Sequence, residues 1–78
     1  MTNSFEAIVE VCCHRVELQY WDFEHTLTDE LKECLIEEGE RCAKDLINDG
    51  CHAGELNCLY YDHEADTEEE IRGWWKIA

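Results

Sequence analysis

An α+β fold, with one helix packed on a single face of an antiparallel sheet of three to four strands, is predicted by three features of this 78-residue chain. Apolar residues alternate with polar ones from Phe5 onward and again from Leu56 onward, the period-two signature of strands with one face toward a core. Between them, Leu31, Leu35, Cys42 and Leu46 recur at helical spacing, with Cys34, Ala43 and Ile47 beside them. At this length the chain forms one domain, residues 1–78, with a small core. With 45% hydrophobic residues and three Trp it carries enough apolar material to fold.

Phe5, Ala7, Val9, Val11 and Cys13 set the inward face of the first strand. At Val16, Leu18 and Tyr20 the apolar parity is reversed, which requires a turn or a bulge between Cys12 and Arg15. No Gly, Asn, Asp or Pro marks a tight turn there, so one long bulged strand and a hairpin both satisfy the pattern. The order is accordingly β-α-β-β or β-β-α-β-β.

Thr26 or Thr28 caps the helix, Asp29 and Glu30 complement its macrodipole, and Asn48-Asp49-Gly50 ends it. Gly39 lies on the inward stripe, where it permits close approach to a sheet. Glu37 with Arg41 and Glu40 with Lys44 are expected as i,i+4 pairs. Leu56, Cys58 and Tyr60 mark the next strand, and Ile71, Trp75 and Ile77 the last, with Asp62 to Glu70 as the tip of the hairpin that joins them. With one helix, the other sheet face is uncovered, and Ile8, Cys12, Trp21, Phe23, Leu59, Tyr61 and Trp74 are expected there as an apolar patch suited to a partner or a homodimer.

Charge carries the functional information. Twenty Asp and Glu against six Lys and Arg give −14, and residues 62–70 alone hold six acids with no base. Such a field repels nucleic acid and anionic membranes and attracts basic protein surfaces. Glu30, Glu33, Glu37 and Glu40 climb one side of the helix at about 4.5 to 6 Å of rise per step, close to the spacing of phosphates along a nucleic-acid strand. With Asp62, Glu64, Asp66, Glu68, Glu69 and Glu70 they form the expected binding surface for Lys and Arg clusters, which accept carboxylates in phosphate geometry. Tyr61 and Trp74 are the expected aromatic anchors, and an aromatic-anchored or self-associating module without mimicry is the alternative. A solvated, solubilising hairpin tip and the acidic surface of a protein from a salt-rich cytoplasm explain the same charge without a specific partner.

No catalytic signature, cofactor motif or metal site is predicted. Asp62, Glu64 and Asp66 begin an EF-hand spacing, but Thr67 stands where Gly is required and Gly73 where a bidentate carboxylate is required. The six Cys lack zinc-knuckle spacing, and an acidic surround raises thiol pKa values. The N-terminal Met1 to Glu6 has no signal-peptide character, so the expected location is cytoplasmic, with reduced thiols.

In size, acidity and the closing run Glu68-Glu69-Glu70-Ile71-Arg72-Gly73-Trp74-Trp75-Lys76-Ile77, the chain resembles small proteins of phages and mobile elements. Among these it is similar to anti-CRISPR and anti-restriction inhibitors that act as DNA mimics. The resemblance implies a stoichiometric inhibitor in the host bacterial cell that occupies the basic DNA- or RNA-binding surface of a defence complex such as a CRISPR effector.

Overall fold

A computed structural model describes residues 2–78. The chain folds in the order β1 (Asn3–Val11), β2 (His14–Phe23), α1 (Asp29–Asn48), β3 (Ala53–Asp62) and β4 (Thr67–Ile77). The four strands form one sheet in the order β1-β2-β4-β3, with every neighbouring pair antiparallel. β2 and β3 therefore run the same way on either side of β4, and α1 is the crossover between them. The fold is α+β with one helix on one sheet face, in the β-β-α-β-β order.

The parity reversal is a hairpin. Val11 pairs with His14, leaving Cys12 and Cys13 as a two-residue turn with φ of 51° and 67°. Two left-handed residues match the twist of the flanking strands, which is why such turns usually hold Asn-Gly. Cys13, expected on the inward face, is instead exposed in this turn, as is Cys12. A third left-handed residue, Asp22 at φ 57°, corrects another expectation. Phe5 pairs with Tyr20 but Asn3 with Phe23, so β2 carries an extra residue here. The bulge turns Phe23 off the uncovered face and into the core, where it is fully buried.

The helix begins at Thr28, whose hydroxyl accepts from the Leu31 amide at 3.2 Å. It ends in paired bonds from Gly50 N to Ile47 O and Cys51 N to Leu46 O, with Gly50 at φ 91°. Leu31, Leu35, Gly39 and Ala43 form its buried stripe. A Cβ on Gly39 would stand 2.6 Å from Leu18 Cδ1, so the missing side chain is what lets α1 lie so close to β2. The Tyr20 hydroxyl, in the core, donates to the Leu35 carbonyl at 2.7 Å and ties sheet to helix. The expected pairs Glu37–Arg41 and Glu40–Lys44 do not form among the described residues; Arg41 reaches Glu38 instead of Glu37.

The acidic segment is shorter as a loop than expected. β3 continues through Asp62 and β4 starts at Thr67, so the tip is only His63 to Asp66. Glu68, Glu69 and Glu70 are strand residues opposite Tyr61, Tyr60 and Leu59. Alternation sends Glu68 and Glu70 to the uncovered face and Glu69 toward the helix side.

Candidate protein-binding surface

Glu30, Glu33, Glu37 and Glu40 are all exposed, and none forms an ion pair among the described residues. Their 3-4-3 spacing holds them on one side of a helix whose start is capped and whose opposite stripe is buried. The array is thus fixed by the core beneath it. Its field is felt nearby: burial chiefly, and then the charges of Glu30, Glu37 and Glu33, push the Cys34 thiol up. Two cations, Arg41 and Lys44, stand at the C-terminal end of the same side.

The acids of the hairpin behave differently. Asp62 Oδ1 accepts from the amides of Glu64 at 3.0 Å and Ala65 at 3.3 Å, which shapes the tip. Its Oδ2 lies 2.7 Å from His25 Nε2, while His25 Nδ1 lies 2.8 Å from the Thr26 carbonyl. The Asp62 bond raises the His25 pKa, and the same bond lowers that of Asp62. Glu69 accepts from the Glu24 amide at 2.7 Å and the His25 amide at 3.0 Å. Glu70 accepts from Arg72 Nε at 3.1 Å and Asn57 Nδ2 at 3.3 Å, and Asp66 accepts from the Tyr61 hydroxyl. Asp62, Asp66, Glu69 and Glu70 are engaged inside the molecule, which leaves Glu64 and Glu68 as the tip-region carboxylates free of side-chain bonds among the described residues.

His25 and Glu24 have no counterpart in the sequence reading. They lie 37 and 45 residues from the carboxylates they meet, and nothing in local spacing signals such pairs. The latch brings the hairpin tip to the start of α1: Tyr60 stacks edge-on against His25 with centroids 4.9 Å apart, and its hydroxyl is raised by burial first, then by Glu30 among its charged neighbours. Glu30 and the tip therefore share one end of the molecule.

The predicted site residues are divided between two faces. Tyr61 and Trp74 project from the uncovered sheet face with Trp21, Ile8 and Leu59, all of them exposed. This face is not a continuous apolar patch. Ile8 stands beside Glu17, Leu59 beside Glu70 and Tyr61 beside Glu68, so carboxylates interleave with the apolar groups.

Three of the thiols are held away from the reactive thiolate. Burial pushes Cys58 up to about 11, and Cys34 and Cys42 rise chiefly for the same reason. Among the described residues no three His, Cys, Asp or Glu side chains converge to hold a metal ion, and no helix is long and apolar enough to cross a membrane. Comparison with protein-family models, curated proteins and solved structures finds no match to the chain, so the functional reading rests on this geometry.

Proposed function

We propose that the chain is a non-enzymatic binding protein whose helix face imitates a phosphate backbone and occupies a Lys/Arg-rich nucleic-acid-binding surface of another protein. The observation that carries the reading is the stripe Glu30, Glu33, Glu37 and Glu40, exposed, unpaired among the described residues and mounted on a capped helix. Glu64 and Glu68 extend the negative field, while the other hairpin acids hold the scaffold in shape. In the setting that the resemblance implies, the target is a bacterial defence complex, such as a CRISPR effector in the host cytoplasm, and inhibition is stoichiometric.

A gel-shift competition tests this. The wild-type chain displaces duplex DNA from a basic defence complex, and its affinity falls as salt rises. The variant with Glu30, Glu33, Glu37 and Glu40 all changed to Gln loses most of that competition. Equal competition by this variant and the wild type would refute the assignment.

A further inference from the structure

We infer that the uncovered sheet face is a second docking surface, on which Trp21 and Trp74 seat an arginine side chain presented by a partner protein. The surface uses none of the helix carboxylates, so it stands or falls apart from the mimicry proposed above. Its centre lies on the two inner strands, β2 and β4. Trp21 is opposite Arg72 and Gln19 opposite Trp74, which makes the two indoles diagonal neighbours across the strand pair. They flank a shallow groove of about 610 Å³, walled on the β3 side by Glu55 and Asn57. The indoles are 41% and 40% exposed, and Trp is among the residue types enriched as interface anchors.

Charge selects the occupant. Three cations share this face: Lys76 Nζ lies 3.4 Å from Glu17, Arg72, which also lines the groove, has its Nε 3.1 Å from Glu70, and Arg15 stands near the start of β2, opposite Glu10. One row runs across all four strands as Glu6, Gln19, Trp74, Glu55. Its two terminal carboxylates have no ion-pair partner among the described residues. An indole with an unmatched carboxylate one strand away, about 4.8 Å in the pairing direction, suits a planar cation that stacks on the ring and donates to the acid. Guanidinium does both, since it is weakly hydrated and presents a planar fork of donors, whereas ammonium is a compact, strongly hydrated charge. A second copy of this chain fits poorly, because it would bring its own −14 against the same rim.

The test uses the peptide acetyl-Gly-Arg-Gly-Arg-Gly-amide, with its lysine and citrulline analogues, followed by the three indole N–H signals in NMR spectra of the labelled chain. The arginine peptide shifts the Trp21 and Trp74 signals and leaves buried Trp75 in place. Citrulline, uncharged but of the same shape, binds at least about tenfold more weakly, and lysine falls between. Trp74→Leu and Glu55→Gln each weaken the arginine peptide by about tenfold while the far-ultraviolet spectrum is kept. The helix variant with four Gln retains the indole shifts. Indoles unmoved by the peptide, citrulline binding as well as arginine, or a wild-type dimer that Trp74→Leu dissociates would each overturn the inference, the last by naming a second copy as the occupant.

Discussion

His25 Nε2 lies 2.7 Å from Asp62 Oδ2, and this contact, with Tyr60 edge-on to the same ring, fastens the link between β2 and α1 to the end of β3. The His25 pKa is raised in the fold, so its contribution to stability is complete below the unfolded value of about 6.5 and is lost as pH rises through the higher folded value. Asp62 is lowered, so its contribution is present above the unfolded carboxylate value and is lost as pH falls through the lower folded one. The pair is therefore strongest in mildly acidic solution. The Tm difference between wild type and His25→Gln should be largest near pH 5 to 6, on the order of a few degrees, and should shrink above neutrality. Comparing the two proteins at each pH removes the general relief of repulsion that acid brings to so anionic a chain. A difference that is flat between pH 5 and 8 would rule out the charged pair.

Gly39→Ala and Gly73→Ala separate two kinds of close approach. At Gly39 the new methyl meets the branched end of buried Leu18, both Cδ atoms and Cγ, but no backbone, and the gain in helix propensity offsets part of the crowding. A loss of about 1 kcal/mol is expected. At Gly73 the methyl runs into the Gln19 carbonyl oxygen and the Tyr20 ring, and backbone cannot step aside. That variant should lose about 3 kcal/mol or more, measured by urea unfolding.

Replacing Cys12-Cys13 with Asn-Gly should stabilise the hairpin by about 1 to 2 kcal/mol, because both positions are left-handed and neither thiol is buried. Calorimetric melting under reducing conditions measures it. A fall in Tm would mean that the cysteines make contacts that the turn geometry does not reveal.

Salt should raise the Tm of the wild-type chain, since its net −14 works against compaction. The variant with Glu30, Glu33, Glu37 and Glu40 changed to Gln should gain less from the same salt, and should melt no lower than wild type at low ionic strength. If it melts well below wild type, those carboxylates hold the helix rather than face a partner.

Much of this architecture is written in local pattern. Period-two alternation places Val16, Leu18 and Tyr20 on one face, helical spacing places Leu31 and Leu35 on one stripe, and Thr28 and Gly50 mark the helix ends. Each is a short-range rule. The departures come from residues used against type: two cysteines in a turn that favours Asn-Gly, an Asp in a bulge that rotates Phe23 inward, and three consecutive glutamates in a strand. Glu69 is tolerated there because its carboxylate meets amides contributed by Glu24 and His25, a long-range pairing that no neighbour in sequence announces. The same blindness affected the site. The helix acids were legible from spacing, and period-two alternation placed Tyr61 and Trp74 on the face opposite the helix, but the internal duties of Asp62, Asp66, Glu69 and Glu70 were not legible.

The position of β4 governs how the molecule is made. It is the last strand in chain order yet sits inside the sheet, between β2 and β3. Until it arrives, β3 has no hydrogen-bonded neighbour, and the hairpin of β1 and β2 lacks its inner companion. β4 must therefore leave the ribosome before the sheet can close, and closure rests on the one strand pairing distant in sequence, β2 with β4, which joins two local hairpins.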